Sequence, residues 1–191
     1  IKSLICLPDS APISKVEATK AFGAEVCLVE GCYDDAYQKA LELKEEMGYT
    51  FVHPFDDENV IAGQGTVALE ILADLDNIDA IIVPVGGGGL ISGIAYTAKQ
   101  IRPSVKVYGV QAAGAPSMFN SIRDGAIECL DSVQTIADGI AVKQPGENTF
   151  QLVHDYVDDI ALVSDDEVAS AILALMENQK MIAEGAGAVS V

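Results

Sequence analysis

Residues 83–93 read Val83-Pro84-Val85-Gly86-Gly87-Gly88-Gly89-Leu90-Ile91-Ser92-Gly93. The apolar run that leads in, Ala80-Ile81-Ile82-Val83-Pro84-Val85, has the form of a strand covered on both faces. The stretch Leu90 to Gln100 that leads out reads as a helix, closed by Arg102-Pro103. Glycine takes positive φ freely and lets another group come close to the backbone N–H. The helix start adds the positive end of a dipole. Together they make an anion cradle, and phosphate suits it best. A tight turn without a ligand would carry the backbone-entropy cost of four glycines with nothing to offset it.

The type of phosphate ligand follows from what surrounds the glycines. A nucleoside-triphosphate loop needs Lys and Ser or Thr after them, and Leu90 and Ile91 stand there instead. The dinucleotide fingerprint Gly-x-Gly-x-x-Gly fails from Gly86, where Ile91 takes the last place, and from Gly87, where Ser92 does. The following strand ends Gly109-Val110-Gln111-Ala112, without the ribose-binding carboxylate that fingerprint requires.

Outward from this motif, short β-branched runs alternate with helical stretches. Strands are predicted at Leu4–Leu7, Glu25–Val29, Tyr49–His53, Val105–Val110 and Ala161–Val163. Ser14 with Glu17 reads as a capping box for a helix through Phe22. Tyr33–Met47 is amphipathic, and Val60–Ala73 follows a polar loop at residues 55–59. Ser164 and Glu167 box a helix over Asp165–Asn178. Asp34-Asp35 and Asp165-Asp166 sit at helix starts, where the dipole favours them. This alternation predicts a parallel α/β sheet with helices on both faces. A boundary is expected at residue 54, giving units 1–54 and 55–191.

Half of the 191 residues are apolar, enough for a substantial core and too many for a disordered chain. Acidic residues number 29 against 11 basic ones, for a net charge of −18. That charge argues against nucleic acid or an anionic membrane as a partner. No apolar run reaches the roughly 20 residues of a membrane span, and no signal peptide is visible. The first residue is Ile1 and the last are Val189-Ser190-Val191, so both ends read as internal to a longer chain. The cysteines Cys6, Cys27, Cys32 and Cys129 lack the clustering of a zinc site. They read as buried, reduced thiols of a cytoplasmic protein.

Five stretches resemble one family. Pro84 to Leu90 is similar to the phosphate cradle of the fold-type II pyridoxal-phosphate enzymes, whose fold is that of the tryptophan synthase β chain. His53-Pro54-Phe55-Asp56 through Gln64-Gly65-Thr66, Ile136 to Val142, Val157 to Ile160, and Glu184 to Ala188 resemble its threonine dehydratase and serine racemase branch. Ala141 to Gly146 and Glu184 to Ala188 resemble the bacterial threonine dehydratases more closely.

The resemblance implies pyridoxal 5′-phosphate as cofactor and a small amino acid as substrate. It implies β-elimination to a 2-oxo acid and ammonia, with a serine racemase or serine dehydratase and a non-catalytic phosphate-ligand-binding module as the alternatives, and a dimer or tetramer. The N–H groups of Gly86, Gly87, Gly88, Gly89 and Leu90 would hold the phosphate. Asp138, Gly139, Glu184 and Gln64 would line the site. The family's Schiff-base lysine belongs upstream of residue 1, so no catalytic residue is assigned here and these residues alone are expected to be inactive. Lys143 reads as a solvated surface lysine, His53 as a satisfied core histidine and His154 as a surface residue. Serine racemases and some dehydratases place Glu and Asp cation ligands after this motif. Gln111 and Ser117 stand there, and neutral groups hold Mg²⁺ or Ca²⁺ poorly, so no metal is expected.

Overall fold

The computed structural model describes residues 2–31 and 33–191, so Ile1 and Cys32 lie outside the described residues. The chain divides into two compact units, Ile1–Val52 and His53–Val191.

The first unit runs β1 (Leu4–Pro8), α1 (Ile13–Ala21), β2 (Glu25–Val29) and α2 (Tyr33–Met47). The two strands pair in parallel with Cys6 opposite Cys27, and α1 makes the crossover. Val16 of α1 and Ala36 of α2 are buried, and the Tyr37 and Phe51 rings meet edge to face at 5.7 Å. Ser14 does not cap α1. The helix begins at Ile13 with Pro12 in the capping place, and Pro12 O accepts from Lys15 N–H at 2.9 Å and Val16 N–H at 3.2 Å. Glu17 instead pairs with Lys20 at 3.1 Å. Residues 49–53 are an irregular connection rather than a strand, because no strand pairs with them among the described residues. Cys6 and Cys27 are half-buried and Cys129 is exposed, so the thiols are less buried than their composition suggested.

The second unit contains α3 (Glu58–Asp74), β3 (Ala80–Pro84), α4 (Gly89–Ile101), β4 (Lys106–Ala112), α5 (Ser117–Asp124), α6 (Glu147–Tyr156), β5 (Asp159–Val163), α7 (Asp165–Ala174) and α8 (Gly185–Ala188). Its sheet is parallel in the order β3-β4-β5. Alternation along β4 feeds two cores. Val107 joins Ile81, Val83, Ile91, Ala95 and Met118, whereas Val110 and Ala112 join Ile140, Val168 and Ala186. Helices α3 and α4 cross at glycines: a β-carbon on Gly65 would stand 2.5 Å from Thr97 Oγ1 and 3.1 Å from Gly93 O.

Two expectations are corrected here. β3 is covered on one face only: Ile81 and Val83 are buried, but Ile82 is 53% exposed and its register partner Tyr108 is 38% exposed. Helix α7, boxed by Ser164 and Glu167, ends at Ala174 and widens into a π turn over Leu175–Gln179. There Leu175 O accepts from both Lys180 N–H and Met181 N–H.

Asp158 ties the foot of the sheet. Its carboxylate takes Lys99 Nζ at 2.6 Å, Lys106 Nζ at 2.7 Å and Val107 N–H at 2.9 Å. Its side chain is 17% exposed. Burial favours the protonated form, but the bonds to Lys106, Lys99 and Val107 outweigh it and hold the carboxyl well below the usual range. Asp158→Asn is therefore expected to cost about 2–3 kcal/mol near neutral pH. A depressed carboxyl stabilises fully above its unfolded value of about 3.9 and loses that contribution as pH falls below it. Denaturant titrations should show a constant gap between the two proteins above about pH 5, closing from about pH 4 downward.

Candidate functional site

β3 hands the chain to Val85, whose N–H donates to Val110 O at 2.9 Å, and the glycines follow. Gly88 has φ +96 and occupies the capping place of α4, a conformation that disfavours any side chain. The other elements of this unit close on the turn from behind. A β-carbon on Gly86 would lie 3.0 Å from Ile140 Cα, and one on Gly87 would lie 2.6 Å from the Phe55 ring. At Gly88 the neighbours are Met118 Cε at 2.6 Å and Thr149 Cβ at 2.9 Å, and at Gly89 Phe55 Cβ at 2.8 Å.

The other side of the turn is open in hydrogen-bonding terms. The N–H groups of Gly86, Gly87, Gly88, Gly89, Leu90 and Ile91 meet no acceptor among the described residues, and the first helical bond is Ser92 N–H to Gly88 O at 3.0 Å. Six successive donors at the positive end of a 13-residue helix fit a phosphate dianion. A phosphate ester such as pyridoxal 5′-phosphate therefore suits the donors present.

Three of the four lining candidates gather beside this turn. Asp138 and Gly139 form a 3₁₀ turn with Ile140, the residue that abuts Gly86. A β-carbon on Gly139 would lie 3.5 Å from Glu184 Oε1 and 3.0 Å from Ala186 Cβ. Asp138, Gly139 and Glu184 are exposed. Gln64 lies elsewhere, within α3, where its carbonyl carbon would be 2.9 Å from a β-carbon on Gly93. Its neighbour Gly65 serves the α3–α4 crossing, and Thr66 Oγ1 donates to Gly63 O at 2.8 Å. Leu90 packs against the larger core.

Gln111 and Ser117 are both fully buried and both engaged. Gln111 Oε1 accepts from Phe119 N–H at 2.9 Å, which fixes the amide orientation and leaves Nε2 a buried donor with no partner among the described residues. Ser117 Oγ donates to Val142 O at 2.8 Å. Lys143 is half-buried, and its carbonyl accepts from Leu130 N–H at 2.9 Å. His154 is exposed on α6, its Nδ1 3.0 Å from Asp155.

The sequence reading passed over Asp56, Met118 and Thr149. Asp56 accepts from Glu147 N–H and Thr149 N–H, each at 3.1 Å, and so caps α6 from 91 and 93 residues away. One local signal pointed to it: α6 starts after Gly146, which has no side chain with which to cap.

His53 organises the residues before α3. Its Nδ1 accepts from Asp56 N–H at 2.7 Å and Phe55 N–H at 3.2 Å, so that nitrogen carries no proton. Burial lowers its pKa below the ordinary 6.5, against the opposing pull of Asp56 and Asp57. A group depressed in this way stabilises the fold above about pH 6.5 and loses that contribution as pH falls through the folded value. His53→Asn keeps an acceptor and removes the titration. The stability of the native protein should therefore decline from about pH 6.5 toward pH 5 relative to that variant, as read by thermal unfolding.

Comparison with known proteins agrees with this geometry. The family model described as "Pyridoxal-phosphate dependent enzyme" matches residues 1–191. An L-threonine ammonia-lyase of Thermotoga maritima is 51% identical over 191 residues, which are 100% of this chain and 48% of that protein. The processed form of threonine deaminase isoform 2 from Solanum lycopersicum superposes with a TM-score of 0.92 at 41% identity, over 99% of this chain and 55% of that one. Maize serine racemase does so with a TM-score of 0.94 at 38% identity, over 99% and 57%. The chain thus spans about half the length of the relatives it matches. The parallel α/β architecture is that of the fold-type II enzymes, and the match runs the length of the chain, which therefore belongs to the pyridoxal-phosphate-dependent enzyme family.

Proposed function

We propose that the protein carrying these 191 residues is a threonine ammonia-lyase, which converts L-threonine to 2-oxobutyrate and ammonia by β-elimination and is active on L-serine as well. The observation that carries the site is the row of six unpaired N–H groups from Gly86 to Ile91. The observation that favours this substrate is 51% identity to an L-threonine ammonia-lyase.

The cofactor, when bound, withdraws electrons from the substrate α-carbon. Gly86, Gly87, Gly88, Gly89 and Leu90 hold its phosphate through their N–H groups and so fix its position. Asp138, Gly139 and Glu184 line the open side, and Gln64 stands further back on α3. The lysine that binds the cofactor and moves the α-proton is supplied by sequence outside these residues. On this reading residues 1–54 are part of a small α/β domain and residues 55–191 part of a large cofactor-binding domain. No helix among the described residues is long and apolar enough to cross a membrane, and the net charge of −18 disfavours nucleic acid. The family resemblance points to a cytoplasmic homo-oligomer.

The test is 2-oxobutyrate release from L-threonine by the full-length protein, beside the 191 residues alone and a Gly88→Ala variant. Activity is expected in the full-length protein only. Gly88→Ala places a methyl group against Met118 and Thr149 at positive φ, and should lower cofactor affinity by at least about tenfold. A folded, cofactor-loaded native protein that racemises L-serine without releasing 2-oxobutyrate would overturn the threonine assignment.

A further inference from the structure

The Gly87–Gly88 peptide joins two residues without side chains, and such a unit can rotate between two orientations at little steric cost. Its carbonyl and its N–H point in opposite directions, because the peptide is planar and trans. Whatever holds Gly87 O therefore decides where Gly88 N–H points.

Thr149 holds it. The hydroxyl Oγ1 lies 2.7 Å from Gly87 O and 3.2 Å from Gly146 O, so its one hydrogen goes to the nearer Gly87 O, and it accepts from Gly146 N–H at 3.0 Å. The residue is fully buried, and its Cβ fills the space behind Gly88. Its own backbone is held at both ends: the N–H donates to Asp56 Oδ1 at 3.1 Å, and the carbonyl accepts from Ser92 Oγ at 3.3 Å. Ser92 lies one turn into α4, so the bond returns to the helix that the cradle begins.

We propose, on the reading of Gly86–Leu90 as the phosphate cradle, that Thr149 is a positioning residue: its hydroxyl locks the Gly87–Gly88 peptide so that Gly88 N–H faces the cofactor phosphate, and Asp56 holds Thr149 in place. Thr149 does not touch the phosphate. A valine there keeps the shape and the contact with Gly88 but lets the peptide turn, and it leaves Gly87 O buried without its donor.

The experiment compares binding of pyridoxal 5′-phosphate and of pyridoxal, which lacks the phosphate, to the full-length apoprotein by absorbance titration. Thr149→Val should weaken pyridoxal 5′-phosphate about tenfold while pyridoxal changes less than about twofold. Thr149→Ser restores the hydroxyl and should stay within about threefold of the native protein for both. Should Thr149→Val not fold, Asp56→Asn is the second variant, with a loss of about threefold or more confined to the phosphorylated ligand. The proposal is overturned if Thr149→Val binds both ligands as the native protein does, if it loses both equally, or if serine does not rescue. A native protein that binds the two ligands equally well would overturn the cradle itself, an outcome distinguishable from the others because no variant is involved.

Discussion

A β-carbon on Gly87, Gly88 or Gly89 would overlap a neighbour and one on Gly86 would crowd Ile140 Cα at 3.0 Å, and these neighbours come from separate parts of the chain. Phe55 precedes α3, Met118 belongs to α5, Ile140 to the 3₁₀ turn, and Thr149 to α6. The glycines are thus required twice. Their flexibility permits the left-handed step at Gly88. Their small size lets the protein pack against the back of the turn while the N–H groups remain unpaired at the front. Packing behind and donors in front are two sides of the same backbone.

The helices that press on this turn are capped from a distance. α3 and α7 take their caps from Asp57 and Ser164, the residues directly before them. α5 follows Pro116 and α6 follows Gly146, neither of which offers a side-chain acceptor. Gln111 on β4 and Asp56 before α3 supply the acceptors instead. The effect is to fix α5 and α6 relative to the sheet and to the start of α3, and through Met118 and Thr149 relative to Gly88. A neutral amide suffices at Gln111, because its task there is to receive one N–H.

Local pattern made much of this visible in the sequence. β2, the extent of α2, the Ser164 box and the glycine turn each rest on residues adjacent in the chain. Gly86 to Leu90 stand out by composition alone, whereas Asp138, Gly139 and Glu184 needed the family resemblance. What local reasoning got wrong depended on neighbours. Ser14 looked like a cap, but Pro12 takes that place. Residues 49–53 are rich in aromatic and β-branched side chains, as a strand is, but have nothing to pair with among the described residues. Ile82 sits in an unbroken apolar run yet is 53% exposed. Gly146 signals that α6 lacks a local cap, but not that Asp56, 91 and 93 residues away, supplies it, and the bond from Thr149 to Gly87 spans 62 residues.

The most direct test is a two-dimensional ¹H–¹⁵N spectrum of the full-length apoprotein labelled with ¹⁵N-glycine, titrated with pyridoxal 5′-phosphate and separately with inorganic phosphate. Amide protons that take up a phosphate oxygen shift downfield. The resonances of Gly86 to Gly89 should move in both titrations, with Gly88 among them, while Gly125, which ends α5, stays in place. Movement of other glycines with those four unchanged would contradict a phosphate cradle at this turn.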